Sequence, residues 1–347
     1  MVFARCSPPH LVTSRYPSAW RLLAASCLAL LLFACPHAGK GDGSVGMAVE
    51  YMDHAAAAYV AHEQGVFVQH GLKTRAYRSY GTGMALAAAL ARDDIDAAYL
   101  CLVPAICAYA NAKVPLKVVA GTHRYGYALV VNPWLVTRVE DLARDGLRIG
   151  SVQLGGAADL LLNRALERAG LDRRRIVARV RRMGPPKLLR ALRTDQLDAA
   201  FLPMQWATMA EEGGLTVLLT GKETWPGMPG SVLVVKSSML EHRPGEVRAL
   251  VAATQESTAW INRHAESAAE VMVRALSLAQ PEALPGQGEF ARELVTAPLL
   301  RRSMSRLEYT LELSEADVDA VIAAAVRYGY INQAFPAREI LDTRFVR

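Results

Sequence analysis

The sequence predicts an α/β protein made of two similar halves, with mixed, mostly parallel sheets, flanking helices and a C-terminal helical tail. Over most of the chain, compact apolar runs alternate with amphipathic stretches, a pattern typical of strands connected by helices. A segment of the first half recurs in the second, and beyond residue 235 only helical patterns follow. The chain of 347 residues is long enough for one large or two medium-sized domains, each with its own core.

The internal repeat indicates how the two halves are organised. Residues Ala89–Leu100 recur as Ala191–Leu202, 102 positions later. In both copies a helix ends in a polar turn, an aspartate precedes a short apolar strand, and a proline, Pro104 or Pro203, stands near the start of the next helix. A short match of alanines and aspartates can arise by chance, but glycine-containing turns also precede both helices.

The predicted strands are short apolar runs bounded by turn residues. Because most of them are continuously apolar rather than alternating, we expect sheets that are buried on both faces. In chain order the strands are Val45–Val49, Leu72–Arg78, Ala97–Leu100, Leu116–Ala120, Ala128–Val131, Leu147–Ser151, Ile176–Arg181, Ala199–Leu202, Leu215–Leu219 and Val232–Val235.

The predicted helices carry apolar residues on one face. In Ala157–Ala169, leucines lie on one side and charged residues on the other, and Gly170 follows as a stop signal. The helices of the tail are Pro244–His264, Ala265–Leu278, Ser303–Leu311 and Glu315–Tyr328, the last entered through Ser314 as a cap. Residues 280–288 contain prolines and glycines and are predicted to form a loop within this tail.

The first 34 residues are typical of an export signal rather than of a folded domain. Arg5, Arg15 and Arg21 precede the apolar run Leu28–Ala34 without any acidic residue, and the run is too short to span a bilayer comfortably. An uncleaved membrane anchor, or a start codon assigned upstream of the true one, would also fit this segment.

The cysteine after the apolar run indicates how the protein is attached to a membrane. Leu32–Cys35 resembles a bacterial lipobox, in which the cysteine is lipidated and becomes the mature N-terminus, although Phe33 stands where a smaller residue is usual. We therefore expect residues 1–34 to be removed. The lipid on Cys35 would then hold the chain at a membrane, in the periplasm or at the cell surface.

Charge and cysteine content argue against two classes of protein. The formal net charge of +6 falls to about +3 without the three arginines of the leader, which is too weak to indicate a nucleic-acid partner. Of the five cysteines, only Cys101 and Cys107 lie within the body of the chain. Their segment reads as a strand end followed by a helix start, so we expect two free, buried thiols rather than a disulfide framework.

Several motifs resemble those of periplasmic solute-binding proteins of ABC importers, in the branch that takes nitrate, taurine, aliphatic sulfonates and thiamine-precursor pyrimidines. The motifs are Tyr51–Ala55 after the first strand, His62–Phe67 before Gly71 and Leu72, the Asp-Ala-Ala element of both halves, Asp141–Gly150 and Tyr328–Ile331. They extend over nearly the whole mature chain, and they specify fold and role better than ligand.

The resemblance implies a two-lobed type II periplasmic-binding-protein fold whose lobes close on a solute. One lobe would contain residues 45–122 and 231–347, and the other residues 127–221. The crossings between the lobes would be His123–Gly126 and Lys222–Gly230. The chain would then be a monomer that binds a small-molecule solute and delivers it to an ABC permease and its ATPase at the inner membrane.

One group of candidate ligand-binding residues follows strands, because open α/β sheets bind ligands at the carboxyl ends of their strands. Two glycine-containing turns, one in each half, open helices and would present backbone N–H groups to a polar or anionic solute. Their residues are Gly81, Thr82, Gly83, Gln153, Gly155 and Gly156. Neither turn continues into Gly-Lys-Ser/Thr, so no phosphate loop is predicted, and ordinary strand-to-helix turns are the alternative.

The other candidate ligand-binding residues lie near strand ends and near the predicted crossings. They are Asp53, His54, Cys101, Arg124, Tyr125, Met204, Trp206 and Trp225. Arginine suits a sulfonate or carboxylate, whereas tryptophan and methionine suit a flat or apolar solute. Alternatively, Asp53 caps a helix, Arg124 forms a surface ion pair and Trp206 packs within the protein.

The remaining aspartates and histidines do not form a predicted catalytic or metal centre. Asp96 and Asp198 occupy equivalent places in the repeat, so we expect them to bond neighbouring backbone amides. His54, His62 and His70 are evenly spaced, but glycines interrupt any single helix that would join them, so no metal site is predicted. No Ser-His-Asp or Cys-His arrangement is recognisable, and neither a catalytic residue nor a cofactor is predicted.

The sequence favours a non-catalytic receptor that captures a small anionic or heteroaromatic solute. One alternative is an enzyme of the same fold, of the menaquinone-synthesis or pyrimidine-synthase type. The cysteine-rich motif of the synthase is absent from the sequence, and an export signal does not suit a cytoplasmic enzyme. A second alternative is a ligand sensor that docks on a membrane kinase.

Overall fold

The computed structural model describes residues 43–279 and 294–346. The predicted leader, Cys35 and the predicted loop at 280–288 lie outside these described residues. From Ser44 onward the described chain belongs to one compact unit. Within that unit, no helix combines the length and the apolar character that a membrane span requires.

The first sheet contains five strands of the N-terminal half and of the segment that follows the second half. They are β1 (Ser44–Glu50), β2 (Lys73–Tyr80), β3 (Ala97–Cys101), β4 (Leu116–Gly121) and β11 (Ser231–Lys236), in the spatial order β2-β1-β3-β11-β4. β1 is parallel to β2 and β3, whereas β11 runs antiparallel to β3 and β4.

The second sheet contains five strands from the middle of the chain. They are β6 (Tyr127–Val131), β7 (Ile149–Ser151), β8 (Arg181–Arg182), β9 (Ala199–Pro203) and β10 (Thr216–Thr220), in the spatial order β10-β6-β9-β7-β8. β7 is parallel to β8 and β9, whereas β6 runs antiparallel to β9 and β10. Two short strands, β5 (Arg124–Tyr125) and β12 (Leu307–Glu308), form a separate antiparallel pair.

Helices connect the strands and form most of the C-terminal tail. They are α1 (Ala56–Glu63), α2 (Val66–Gln69), α3 (Gly83–Ala91), α4 (Leu102–Ala112), α5 (Ala157–Arg168), α6 (Arg173–Val177), α7 (Pro185–Arg193), α8 (Met204–Glu212), α9 (Gly221–Thr224), α10 (Ser237–His242), α11 (Pro244–Arg263), α12 (Ala265–Leu278), α13 (Ala297–Met304) and α14 (Glu315–Arg327). Short 3-10 helices lie at Asp53–Ala55, Val139–Ala143 and Ala337–Glu339.

The two sheets have the same topology, strand for strand. Met47 of β1 pairs with Ala97 of β3, and Ile149 of β7 pairs with Ala199 of β9, so the repeated segments occupy equivalent places. Every residue of β3 and of β9 is buried, as continuously apolar strands require. The antiparallel strands β11 and β6 are also equivalent, because each lies beside the repeated strand of its sheet.

The repeated aspartates fix the start of their strands in the same way. The Asp96 carboxylate accepts the Gly46 N–H at 2.8 Å, and the Asp198 carboxylate accepts the Arg148 N–H at 2.7 Å. Both aspartates thus bond backbone amides, as predicted, but the amides belong to the adjacent strand segment, 50 residues earlier in the sequence, and not to the turn of the aspartate itself. Three residues earlier, Asp93 and Asp195 both adopt positive φ, at 62° and 53°. The repeat thus extends to the backbone conformation of the turn.

Two predicted elements are wrong. The strand predicted at Ile176–Arg181 is the end of helix α6, which begins early because the Asp172 side chain accepts the Arg175 N–H; only a two-residue strand follows. The helix predicted at Ser303–Leu311 begins instead at Ala297, capped by a threonine, and ends at residue 304. The next residues form β12, because β5 offers them an antiparallel partner, which local sequence does not reveal.

Candidate functional site

A narrow cavity lies where the carboxyl ends of the parallel strands of the two sheets face each other. The centre of a water molecule has about 40 Å³ of space in it. The lining residues are Glu50, Met52, Gly81, Thr82, Gly83, Met84, Cys101, Pro104, Tyr127, Val152, Gln153, Gly156, Ala157, Ala158, Pro185 and Pro203. None of these is lysine or arginine, so the part of the wall formed by the described residues carries no permanent positive charge.

Five helices begin at this cavity, because each follows a strand or turn that ends there. They are α3, α4, α5, α7 and α8, whose cap or first residues belong to the lining. Free backbone N–H groups at helix starts attract negative charge and hydrogen-bond acceptors. At α3 the Thr82 hydroxyl accepts the Ala85 N–H, so part of that helix start is already satisfied.

The Glu50 carboxylate ends β1 inside the protein, where its side chain is 1% exposed. It accepts the Cys101 backbone N–H at 3.2 Å, the Cys101 thiol at 3.2 Å and the Ser231 hydroxyl at 3.4 Å. Burial raises the pKa of Glu50 to about 7, against the lowering effect of these hydrogen bonds. A titratable acid therefore forms part of the cavity wall.

The His54 imidazole lies behind the cavity wall and is fully buried. Its Nε2 lies 2.6 Å from the Gly126 carbonyl oxygen, and its Nδ1 lies 4.0 Å from the Cys101 Sγ. A carbonyl oxygen only accepts hydrogen bonds, so Nε2 carries the proton and Nδ1 has a free lone pair. Burial and the neighbouring His123 hold the pKa of His54 well below its usual range, so the ring is neutral at pH 7.

His123 and Tyr127 complete the buried polar group. The His123 Nε2 accepts the Ser231 N–H at 3.1 Å, and burial lowers the pKa of His123 to about 4. The Tyr127 hydroxyl lies 2.6 Å from the Cys101 Sγ. Burial also raises the pKa of the Cys101 thiol well above its usual range. At neutral pH the group therefore holds two neutral histidines and a protonated thiol around Glu50.

Only glycine fits at position 126, because the His54 and His123 rings lie close to its backbone. Its φ is +83°, and a Cβ there would lie 2.8 Å from the His54 Nε2 and 2.9 Å from the His123 ring. Any other residue would be strained in backbone and would displace a buried ring. The backbone carbonyl that orients His54 thus depends on this glycine.

The predicted ligand-binding residues divide into two sets. Six of them line the cavity: Gly81, Thr82, Gly83, Cys101, Gln153 and Gly156. Gly155 lies next to this lining, with its carbonyl 4.0 Å from the Cys107 Sγ, and His54 lies behind the wall. The two glycine turns that the sequence singled out therefore meet at one cavity.

The other predicted residues take part in contacts away from the cavity. Asp53 accepts the Ser303 hydroxyl, and its N–H donates to the Gln205 side chain at 3.0 Å. Arg124 donates to the Gly227 carbonyl at 2.7 Å and to Asp317 at 3.3 Å. Of the remaining four, Tyr125 lies beside Gly227 and Lys222, Met204 beside Arg306, Trp206 within the core and Trp225 under Arg164.

Sequence reasoning missed two lining residues, Glu50 and Tyr127, and one residue behind the lining, Ser231, which contacts Glu50. The sequence could have indicated Glu50, since it is the single acid of its strand and stands at the strand end. Tyr127 starts β6, but nothing local shows that its hydroxyl reaches Cys101 across the cavity. Ser231 begins β11 and meets Glu50 only because the chain returns to the first sheet.

The family to which the chain belongs follows from comparison of its sequence. The profile of the NMT1-like family matches residues 40–277, more than half of the chain. The chain belongs to the NMT1-like family. No curated protein matches this NMT1-like chain.

Solved structures show the fold of this NMT1-like chain. The alkanesulfonate-binding protein SsuA of Xanthomonas axonopodis pv. citri, bound to MOPS, superposes with a TM-score of 0.72 at 15% identity, covering 86% of this chain and 98% of that one. The nitrate-binding protein NrtA of Synechocystis PCC 6803 gives 0.72 at 13% identity, covering 87% of each chain. The aliphatic sulphonate binding protein SsuA of Escherichia coli gives 0.67 at 17% identity, covering 86% and 91%. The predicted type II periplasmic-binding-protein fold is confirmed.

Proposed function

We propose that this chain is an extracytoplasmic solute-binding protein of an ABC importer, which holds a small solute between its two sheets and passes it to a permease. The observation that supports this most is the cavity itself: the glycine turns of both halves and the starts of five helices meet at it. This is where an open α/β fold binds ligands. The structural neighbours, two of which are titled sulfonate-binding and one nitrate-binding, are consistent with the same role.

The lining favours a small solute with an apolar or flat body and a few hydrogen-bond acceptors. Met52, Met84 and Val152 supply apolar surface, and Gln153 supplies a side-chain amide. Helix starts, rather than an arginine, would bind an anionic group on the solute. The narrow cavity requires the walls to separate and then close again around the solute, a shift between two populations.

A ligand screen tests the proposal. Thermal unfolding of the purified chain is measured with sulfonates, nitrate, carboxylates, pyrimidines and aromatic acids, because a ligand that binds only the folded state raises the melting temperature. We expect at least one class to raise it, and isothermal titration to give about one solute per chain. Absence of a shift with every class, or conversion of a compound by the chain, would contradict the proposal.

Two variants locate the binding site. Met84→Trp fills the cavity and is expected to weaken binding of the best solute at least tenfold. Gln153→Ala removes a lining amide, and the matched control Gln69→Ala removes an exposed amide on α2, far from the lining. Equal affinity in all three proteins would place solute binding elsewhere.

The membrane attachment and partners form the second part of the proposal. Lipidation at Cys35 would hold the chain at the outer face of the inner membrane as a monomer, where it can meet the permease and its ATPase. In a bacterial host, Cys35→Ala is expected to move the protein from the membrane fraction to the soluble periplasmic fraction. A membrane fraction that is unchanged by Cys35→Ala would contradict attachment through this residue.

A further inference from the structure

Three different metal-ligand side chains meet at the wall of the cavity. Glu50 ends β1, His54 belongs to the 3-10 helix that follows, and Cys101 ends β3. All three are buried, with side chains 1%, 0% and 7% exposed. The Glu50 Oε2, the His54 Nδ1 and the Cys101 Sγ all lie within 4.8 Å of one another.

The spacing of these three atoms matches the spacing of ligands around one metal ion. Sγ lies 3.2 Å from Oε2 and 4.0 Å from Nδ1, and Nδ1 lies 4.0 Å from Oε2. The point equidistant from the three corners of such a triangle is about 2.2 Å from each, close to the usual Zn–S, Zn–N and Zn–O distances of about 2.0–2.3 Å. The three atoms are therefore close enough together to share one ion.

The surrounding hydrogen bonds orient His54 and Glu50, while the Cys101 Sγ also lies 2.6 Å from the Tyr127 hydroxyl, which can donate to a thiolate. Since His54 donates from Nε2 to the Gly126 carbonyl, its Nδ1 lone pair is available on the side that faces Cys101. The Cys101 backbone N–H holds the other Glu50 oxygen, Oε1, and the Ser231 hydroxyl supports Oε2. A histidine oriented by a carbonyl and a carboxylate held by a backbone amide are the usual outer contacts of metal ligands.

Once Glu50 and Cys101 are both deprotonated, as metal binding requires, the cluster needs a cation. A deprotonated glutamate and a thiolate in a buried site are costly unless a positive charge lies beside them. Within residues 43–279 and 294–346, the Glu50 carboxylate has polar contacts with Cys101, Ser231 and His54, none of which is permanently cationic. A divalent ion would supply that charge, and its binding would release the thiol proton.

We propose that Glu50, His54 and Cys101 bind one divalent transition-metal ion of the zinc class at the wall of the cavity. A mixed sulfur, nitrogen and oxygen ligand set suits zinc better than calcium or magnesium, which prefer oxygen alone. Glu50 and Cys101 line the cavity, so the remaining coordination position lies within reach of a solute. The histidine spacing of the sequence did not predict this site, because only one of those histidines contributes and the other ligands come from two strands.

Metal titration of the purified full-length chain, after treatment with a chelator, tests the proposal. We expect Zn²⁺ to bind at about one ion per chain, with release of at least one proton, and to raise the melting temperature. Co²⁺ as a spectroscopic probe is expected to give the thiolate-to-metal charge-transfer band. This band reports sulfur coordination directly and does not depend on whether the chain binds any solute.

Matched cysteine variants identify the ligand. Cys101→Ser is expected to abolish the charge-transfer band and to weaken Zn²⁺ binding at least 100-fold. Cys107→Ser, which changes the other buried free thiol, is expected to retain both. Glu50→Gln, which keeps the size of the side chain, is expected to weaken Zn²⁺ binding while the band is still seen at high Co²⁺. Circular dichroism of each metal-free variant checks that it is folded.

The proposal is overturned if the wild-type chain binds no Zn²⁺ at micromolar free metal, or if Cys101→Ser binds it as tightly as Cys107→Ser does. If Cys101→Ser fails to fold, Glu50→Gln decides in its place, and unchanged affinity in that variant also overturns the proposal. The metal site goes beyond the proposed solute capture. If the chain fails to bind either Zn²⁺ or a solute, binding of the other can still be measured. Solute binding in chelated protein would separate the two.

Discussion

The edges of the two sheets that face the cavity have different side chains at equivalent positions. Because the strand pairings match, each residue at a strand end of the first sheet has a counterpart in the second. The counterparts are Glu50 and Val152, Cys101 and Pro203, and Ser231 and Tyr127. The first sheet therefore presents an acid, a thiol and a hydroxyl where the second presents two apolar side chains and a phenol.

This difference separates two parts of the repeat: the strand starts, which hold neighbouring strands together, and the strand ends, which lie at the cavity. At the starts of β3 and β9 the chemistry is conserved between the two halves, since both aspartates bond a backbone amide of the neighbouring strand segment. At the ends of the same strands it has diverged. The cavity is thus lined by one polar and one largely apolar wall, although the two walls have the same topology.

The largest effect is expected at the two equivalent glycines that precede β6 and β11. A Cβ on Gly126 would lie 2.8 Å from the His54 ring, and one on Gly230 would lie 2.1 Å from the His123 ring. Gly126→Ala and Gly230→Ala are each expected to reduce the free energy of unfolding by about 3 kcal/mol. Gly146→Ala is the control: φ is +86° but no atom lies within 4 Å, so about 1 kcal/mol is expected. Urea unfolding measures all three, and equal losses would show that the buried rings do not restrict these positions.

The next largest loss of stability is expected on replacing the repeated aspartates. The Asp198 side chain is 4% exposed and that of Asp96 is 15% exposed. Asp198→Ala is expected to cost about 2 kcal/mol and Asp96→Ala about 1 kcal/mol, because water replaces the hydrogen bonds of the more buried carboxylate less easily. The control Asp145→Ala removes a carboxylate that is 75% exposed and should cost less than about 0.5 kcal/mol. A larger loss at Asp96 than at Asp198 would contradict the ranking by burial.

A pH dependence distinguishes the charge of Asp198 from its shape. Burial acts to raise the pKa of Asp198, but hydrogen bonds from Arg148 outweigh it and hold this pKa below the usual range. A carboxyl whose folded pKa is lowered stabilises the protein above its unfolded pKa of about 3.9, and that contribution is lost as pH falls through the folded value. The wild-type chain should therefore lose stability below about pH 4 more steeply than Asp198→Asn does. Parallel urea-unfolding curves from pH 5 to about 2.5 check this, and identical slopes would contradict it.

The smallest effect concerns the helix caps of the repeat. Thr82 caps α3 through its side chain, whereas its counterpart 102 residues later, Gly184, caps α7 without one. Thr82→Gly, which gives the first half the residue of the second, is expected to cost only about 0.3 kcal/mol, and Thr82→Ala about 1 kcal/mol. Thermal unfolding without solute separates the two. A cost for Thr82→Gly above that of Thr82→Ala would indicate a contact that the cap does not explain.

Most strands could be predicted from the sequence because they are continuously apolar and bounded by turns. The two wrong elements, at Ile176–Arg181 and Ser303–Leu311, failed for a different reason. In both places a capping residue upstream starts a helix where the apolar pattern did not predict one. In the second, the strand that follows exists only because β5 lies beside it.

Part of the candidate site could also be predicted. The glycine turns around Thr82 and Gly156 were found because strand-to-helix turns have a local signature. Arg124 and Trp225 were selected for their chemistry, but the structure places them on Asp317 and under Arg164. Which polar side chains meet at the cavity depends on contacts between residues 26 to 181 positions apart in the sequence, and local patterns do not specify these.

The sequence by itself determined the α/β class, the repeat and the equivalent aspartates, because periodicity, caps and turn residues act over a few neighbouring positions. Only the tertiary structure decided that Glu50, His54 and Cys101 face one another, and that the second sheet offers valine, proline and tyrosine opposite them. The physical reason is that burial and charge are properties of a shared interior. A glutamate at a strand end has an ordinary pKa in water, and its pKa rises to about 7 here only because distant strands enclose it.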